Sequence, residues 1–116
     1  MHTVSFEGFN AKYLTFKKAP AAVLYEGDFV SMDNSLTVKE YKTGSDIIGK
    51  CVEVKEDLAT IQVSGYMEAP IASGQKITLG YSKLSLDSNG KLINSTEVNR
   101  PVFVVDLTAS TAGFIL

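Results

Sequence analysis

The stretch from Thr43 to Cys51, TGSDIIGKC, is the segment whose residue types most resemble a reactive site, because it spells G-x-x-x-x-G-K. In a phosphate-binding loop, backbone amides wrap the phosphates, the lysine reaches the terminal ones, and a Ser or Thr hydroxyl holds Mg²⁺. Cys51 occupies the place of that hydroxyl, and a thiol is a poor ligand for a hard cation. The residues that follow alternate with the period of a strand, whereas a phosphate-binding loop opens a helix. We therefore predict that the match is coincidental and that Gly49 allows close packing beside a strand.

Other catalytic arrangements lack the residues that they need. The only histidine is His2, at a terminus expected to fray, so neither a Ser-His-Asp nor a Cys-His arrangement has a fixed imidazole. The single cysteine, Cys51, and this histidine are too few for a zinc site, and the carboxylates show no spacing that singles out a hydrolase pair. We expect no enzymatic activity, no metal site and no cofactor, and we expect Cys51 to be a small core residue.

The segment DSNGKLINSTE, Asp87 to Glu97, has the general look of a calcium loop. If Gly90 takes the invariant glycine position, the first and last ligand positions fall on Ser85 and Thr96, which have no carboxylate. The same residues fit a hairpin better. Asn89 and Gly90 can adopt the positive φ angles of a tight turn between two strands, so we predict a hairpin here.

Composition indicates one globular domain and argues against a general nucleic-acid binder. The chain has 116 residues, of which 45% are hydrophobic and 21% charged, and this is enough to bury a core without metals or disulfides. The formal net charge is -2, and the only local basic cluster is Lys12, Lys17 and Lys18. The N-terminal residues do not have the pattern of a signal peptide, and no apolar run is long enough for a membrane helix. We expect a protein made in the cytoplasm, with neither nucleic acid nor membrane as a partner.

Short runs rich in Val, Ile, Thr, Tyr and Phe alternate with turn signals along the chain, a pattern typical of an all-β sandwich or small barrel with short connections. Any helix should be a single turn around Ser95 to Asn99. Strands are predicted near DFVSM, LTVKE, IIGKCVEVK, LATIQVSGYME, KITLG, KLSLD, KLINS, VFVVDL and AGFIL.

The two ends of the chain are rich in large apolar residues. Residues 1 to 19 form an N-terminal arm or a first strand, and residues 20 to 116 form the compact β domain. For Tyr13 to Phe16 we favour a strand tucked into the core, and for Thr3 to Phe9 an extended segment that folds against a partner. Val102 to Val105 form a continuous apolar run that suits a strand buried on both faces. The chain stops on Phe114-Ile115-Leu116, which suits a last strand paired in the sheet or one meeting a neighbouring subunit.

An oligonucleotide-binding barrel is an alternative that the strand pattern leaves open. Exposed aromatic rings on such a barrel stack on bases, although the acidic balance of this chain weakens the case. The candidate stacking platforms are Tyr25, Phe29, Tyr41, Tyr66 and Tyr81.

Glycines and strands follow one another in a distinctive order over roughly residues 20 to 116. The elements of this order are Gly27-Asp28-Phe29-Val30, Ile48-Gly49, Val63-Ser64-Gly65, Ala72-Ser73-Gly74 and a hairpin with Gly80, Leu84, Asp87, Gly90 and Leu92. The order resembles that of the head-decoration, or capsid cement, proteins of tailed bacteriophages, as a pattern of glycines and strands rather than a signature of rare residues.

This resemblance implies a compact β domain, often trimeric, on the exterior of the virion. Such a protein, assembled in the host cytoplasm, binds the outside of the expanded head and clamps neighbouring subunits of the major capsid protein. A related virion module, such as a tail or head-fibre base, is a further alternative. The candidate interface residues are Val4, Phe6, Phe9, Tyr13, Phe16, Phe114, Ile115 and Leu116.

Overall fold

Eleven short strands and no helix make up the part of the chain that the structure, a computed structural model, describes: residues 11–33 and 36–116. The prediction of an all-β domain is confirmed, and residues 95–99, the place considered for any single helical turn, form none. The strands are β1 (Lys12–Lys17), β2 (Val30–Met32), β3 (Val38–Glu40), β4 (Lys50–Lys55), β5 (Leu58–Ser64), β6 (Tyr66–Pro70), β7 (Gly80–Ser82), β8 (Leu84–Leu86), β9 (Leu92–Asn94), β10 (Val102–Leu107) and β11 (Thr111–Ile115).

The strands of the described residues form four antiparallel sheets. A three-stranded sheet has the order β1-β5-β4, and a four-stranded sheet has the order β6-β11-β10-β7. Two hairpins, β2-β3 and β8-β9, complete the fold. Residues 12–17 pair with β5, so this part of the N-terminal segment is a first strand, while Val4, Phe6 and Phe9 lie outside the described residues. No helix capable of spanning a membrane occurs in residues 11–33 and 36–116.

Gly65 separates two strands that the sequence pattern predicts as one. Its φ of 101° is a conformation that favours glycine, and it turns the chain from β5 in the three-stranded sheet to β6 in the four-stranded sheet. Gly65 also exchanges two backbone hydrogen bonds with Leu116, at 3.3 and 3.0 Å. The end of the chain is thereby tied to the point where the two sheets meet.

The sequence pattern placed two further features imprecisely. The strand expected over KITLG begins only at Gly80; before it, the side-chain amide of Asn94 donates to the side-chain oxygen of Gln75 at 3.3 Å and to the backbone carbonyl of Lys76 at 2.9 Å. The hairpin at Asp87 to Lys91 is confirmed, but only Gly90 in this loop has a positive φ, of 77°. The amide of Gly90 donates to the carbonyl of Asp87 at 3.0 Å, so the loop is wider than the predicted two-residue turn.

The larger of two hydrophobic cores lies between the inner face of the four-stranded sheet and the β8-β9 hairpin. Phe114, at the centre of this sheet, is fully buried, and its ring lies 6.1 Å from that of Phe29. The buried members of this larger core are Phe29, Ile47, Met67, Ala69, Ile77, Leu84, Leu86, Leu92, Val102, Val104, Ala112 and Phe114.

The smaller core lies on one face of the three-stranded sheet. Phe16 is half-buried against it. Leu14 pairs with Ile61 across the sheet and therefore points to the same face, yet 53% of Leu14 is exposed while Ile61 is buried. This core is consequently open at the β1 edge. Its buried members are Leu24, Val30, Val38, Cys51, Ala59 and Ile61.

Candidate functional site

The residues of the G-x-x-x-x-G-K segment make structural contacts within the domain, and they do not form a phosphate-binding loop. The amide of Gly44 donates to the Ser85 hydroxyl at 2.8 Å, so it is already paired. Strand β4 follows directly, and a Cβ on Gly49 would lie 2.6 Å from the backbone oxygen of Gln62. Both predictions, the coincidental match and the packing role of Gly49, are confirmed.

Ser85 and Tyr41 anchor this segment to the rest of the domain. The Ser85 side chain is fully buried and lies 2.9 Å from the Tyr41 hydroxyl, which also hydrogen-bonds the carbonyl of Ser45. Burial raises the pKa of the Tyr41 phenol, which keeps it a neutral hydrogen-bond donor. Farther along, a carboxylate oxygen of Asp46 accepts hydrogen bonds from the amides of Asn99 and Arg100. These contacts attach the segment to the rest of the domain without a ligand.

Cys51 and Asp87 likewise have structural roles. Cys51 is buried in the smaller core as predicted, and burial raises the pKa of its thiol. One carboxylate oxygen of Asp87 accepts hydrogen bonds from the backbone amides of Asn89 and Lys91, both at 2.9 Å, and so orders the hairpin loop. Within the described ranges, no three His, Cys, Asp or Glu side chains converge on a metal-binding position.

The most prominent exposed feature is a row of apolar and aromatic side chains across the outer face of the four-stranded sheet. Tyr81 pairs with Phe103, Phe103 with Ile115, and Ile115 with Tyr66, so neighbouring strands place these side chains side by side. Tyr66 in turn shares a cleft of about 260 Å³ with Tyr13 of β1. We call these five residues, Tyr13, Tyr66, Ile115, Phe103 and Tyr81, the aromatic stripe.

The stripe is exposed most strongly at its two ends. Tyr81 is 76% exposed, Phe103 40% and Tyr13 54%. The rings of Tyr81 and Phe103 are stacked with centroids 5.0 Å apart, which fixes the two side chains as a unit. Strand spacing makes the row from Tyr66 to Tyr81 about 14 Å long. The result is an ordered apolar surface of the kind that marks interaction sites.

A glycine leaves room for the Tyr66 ring within the stripe. Gly113 lies on the same outer face, and a Cβ there would come within 2.1 Å of the Tyr66 hydroxyl oxygen. The ring therefore lies across the strand at a position that only glycine leaves open. The Tyr66 hydroxyl donates to a carboxylate oxygen of Glu68 at 2.8 Å and also lies beside the carboxylate of Asp106. Burial, followed by the Glu68 carboxylate, raises the pKa of Tyr66.

The structure brings together only some of the predicted interface residues. Tyr13 and Ile115 both belong to the stripe, through their shared neighbour Tyr66. Leu116 is half-buried against the larger core, and Phe16 against the smaller one. Phe114 is fully buried within its own chain, because alternation along β11 turns it to the inner face, and it is therefore not a surface residue.

Phe103 is the stripe residue whose environment was predicted wrongly. The run from Val102 to Val105 was expected to be buried on both faces, but Val102 and Val104 are buried and Phe103 points outward. The strict alternation of strand faces was the available signal. Of the five candidate stacking platforms, Tyr66 and Tyr81 lie in the stripe and Phe29 is in the larger core.

A larger cleft, of about 500 Å³, adjoins the smaller one, and Lys50 and Glu68 contribute to both. The larger cleft lies between the Asp87 hairpin loop and the segment from Gly27 to Phe29.

A scan of the sequence against protein-family models finds no match, and a search of curated proteins finds none either.

Proposed function

We propose that this chain is a virion structural protein that binds the outer surface of an expanded bacteriophage head and stabilises contacts between major capsid subunits. The observation that carries the proposal is the aromatic stripe, an ordered apolar surface left outside both cores. The resemblance of residues 20 to 116 to head-decoration proteins supplies the identity of the partner. Homo-trimer formation and a position on the exterior of the virion are part of the same proposal.

The stripe has the chemistry of a protein interface. Aromatic side chains are enriched in interface centres because they bury a large apolar area at a small cost in conformational entropy. Tyr81 and Phe103 are already held by stacking on each other, so they lose little further freedom on binding. Many copies on a symmetric shell then add their individually modest contacts through multivalency.

Strand β1 offers a second route of attachment beside the stripe. Among the described strands it lies at the edge of its sheet, and Leu14 extends the smaller core to the surface there. An extended segment of a partner that added to this edge would gain backbone hydrogen bonds and would cover Leu14. The residues before β1 include Val4, Phe6 and Phe9, which we predict to anchor the contact.

The experiment that tests the proposal is co-sedimentation of the purified protein with expanded heads that lack their decoration protein. We expect saturable binding at a fixed ratio per capsid subunit, and heads that survive harsher heating when loaded. The double variant Tyr81→Ala/Phe103→Ala should weaken binding about tenfold or more, as for the loss of central aromatic anchors. The control Tyr25→Ala removes an exposed tyrosine outside the stripe and should bind like the wild type. Binding that is equal in all three proteins would show that the stripe is not the contact.

A module that binds single-stranded nucleic acid remains the alternative with some structural support, because Tyr66 and Tyr81 are both in the stripe. The carboxylates of Glu68 and Asp106 next to Tyr66 favour a protein partner, since they repel the phosphates of a nucleic acid. Quenching of tyrosine fluorescence by an oligonucleotide, weakened by added salt, would support the alternative over the capsid proposal.

A further inference from the structure

The larger cleft is lined by apolar and acidic side chains, and we call its four carboxylates the rim. Phe29, Tyr41, Pro70 and Leu86 line it together with the hairpin residues from Asp87 to Gly90. Its volume of about 500 Å³ lies within the usual range of ligand-binding clefts. The charged side chains around it are four carboxylates, Asp28, Glu40, Glu68 and Asp87, and one ammonium group, that of Lys50.

The rim carboxylates are held in place by hydrogen bonds to one oxygen each. A carboxylate oxygen of Asp28 accepts a hydrogen bond from the backbone amide of Tyr25 at 3.0 Å. A carboxylate oxygen of Glu40 accepts one from the backbone amide of Val23 at 3.2 Å. Asp87 is fixed in the same way by its own loop. A carboxylate has about four acceptor sites, so these bonds orient the groups and leave acceptor capacity for a ligand.

Lys50 shows how a cationic side chain is accommodated at this cleft. Its ammonium nitrogen lies 5.5 Å from the centre of the Phe29 ring and donates to the backbone carbonyl of Glu68 at 3.2 Å. An aromatic face and an oxygen acceptor therefore already stabilise one positive charge at the wall of the cleft. The excess of carboxylates over this single ammonium leaves the cleft complementary to additional positive charge.

We propose that the larger cleft binds an arginine or lysine side chain presented by the protein partner, with arginine favoured. This inference rests on the proposed function, because it takes the partner to be a capsid subunit. The apolar lining residues fit the aliphatic stem of such a side chain, and the rim carboxylates fit its charged end. Arginine is favoured because its planar guanidinium donates to carboxylates in pairs. A metal ion is disfavoured, since in the residues that the structure describes no three acidic side chains converge on one point.

A direct test uses the isolated protein and a matched pair of probes. The tripeptide Gly-Arg-Gly is titrated into ¹⁵N-labelled protein, and the isosteric Gly-citrulline-Gly, which lacks the charge, is the control. We expect saturable shifts of the amides of Gly27, Asp28 and the loop from Ser88 to Gly90 with the arginine peptide alone. Equal shifts with both peptides, or none up to tens of millimolar, would overturn the proposal. Tighter saturation of the same amides by CaCl₂ would overturn it in favour of a metal site.

Charge-neutral variants then locate the interaction. Glu40→Gln and Asp28→Asn keep the shape of the rim and should each weaken binding of the arginine peptide about threefold to fivefold, the size expected for one partly exposed charge. Glu53→Gln, which removes an exposed carboxylate of β4 that does not line the cleft, is the matched control and should bind normally. Equal affinities of all three variants would place the arginine elsewhere.

The same variants separate this inference from the proposed function. If the wild type binds heads, Glu40→Gln should bind them more weakly and with a shallower dependence on salt. A wild type that binds the arginine peptide but not heads would overturn the proposed function and leave the cleft assignment intact. Heads that bind the wild type and both rim variants with the same salt dependence would overturn the cleft assignment alone.

Discussion

The two cores of the molecule differ in how completely they are closed. The larger core is covered by the four-stranded sheet on one side and by the β8-β9 hairpin on the other, and Phe114, Leu84 and Leu92 within it are fully buried. The smaller core is bounded by the three-stranded sheet, whose edge strand β1 leaves Leu14 more than half exposed. The larger core is therefore the main source of stability, and the smaller core ends at an edge where a partner can add apolar contacts.

The aromatic stripe connects these two regions. It begins at Tyr13 on the three-stranded sheet, crosses at Tyr66 and ends at Tyr81 on the far edge of the four-stranded sheet. Gly65 and Leu116 join the sheets beside that crossing. A partner lying along the stripe would contact both regions at once, and so would oppose their separation as well as adding its own contacts.

The largest expected difference between the two regions is the cost of truncating one side chain in each. Phe114→Ala should lower the free energy of unfolding by about 3 to 5 kcal/mol, because it opens a cavity in a fully closed core. Leu14→Ala should lower it by about 0.5 kcal/mol or less, because solvent already reaches that side chain. Urea unfolding followed by far-UV circular dichroism measures both. Similar losses from the two variants would contradict the asymmetry between the cores.

A smaller difference in stability is expected between substitutions of two glycines at which an added Cβ would clash with a neighbouring group. A Cβ on Gly49 meets the backbone of Gln62 and the side chain of Ile61, both at 2.6 Å, so Gly49→Ala should cost about 1 to 3 kcal/mol of unfolding free energy. At Gly113 the obstacle is the end of the Tyr66 side chain, which can rotate outward. Gly113→Ala should therefore cost less stability and instead displace Tyr66 from the stripe.

Thermal or urea unfolding of both glycine variants, with head binding as a second measurement, distinguishes these outcomes. We expect Gly49→Ala to be the less stable protein and Gly113→Ala to be the weaker binder. The reverse order would mean that the packing of the Tyr66 ring over Gly113 contributes more to folding than to recognition.

Much of the fold could be predicted from local patterns in the sequence. Strands β3, β4, β8, β9, β10 and β11 fall where alternation and turn residues placed them, since each is specified by its own residues. The break at Gly65 was missed because the apolar pattern continues through it, and only the exchange of partners between the sheets requires the positive φ. The burial of Phe114 was missed because it depends on β11 lying between β6 and β10, a pairing of distant segments.

Only separate residues of the candidate site could be predicted, because their arrangement also depends on the pairing of distant segments. Tyr13 and Ile115 were singled out as apolar residues near the chain ends, and Tyr66 and Tyr81 as rings able to stack. Their alignment in one row follows from the order β6-β11-β10-β7, and no local spacing contains that order. The larger cleft was not anticipated, because its rim collects carboxylates from four separate segments of the chain.

The smallest expected effect lies at Tyr66, where the two regions meet, and it appears as a dependence of stability on pH. Burial and the Glu68 carboxylate raise the pKa of this phenol above its ordinary value of 10.0 in the unfolded chain. The folded state therefore holds its proton more tightly, so the contribution of Tyr66 is complete below about pH 10 and is lost as the pH rises further. Tyr66→Phe should remove this part of the alkaline loss of stability.

Urea midpoints measured between about pH 8 and pH 11 give the slope for each protein. Burial also raises the pKa of Tyr41, so a part of the slope should persist in Tyr66→Phe. Glu68→Gln removes one carboxylate but keeps the burial that is the largest cause of the raised pKa, so it should retain most of the wild-type slope. If Tyr66→Phe has the same slope as the wild type, the phenol is not buried beside these carboxylates, and Tyr66 would then not be held in place where the stripe crosses between the two sheets.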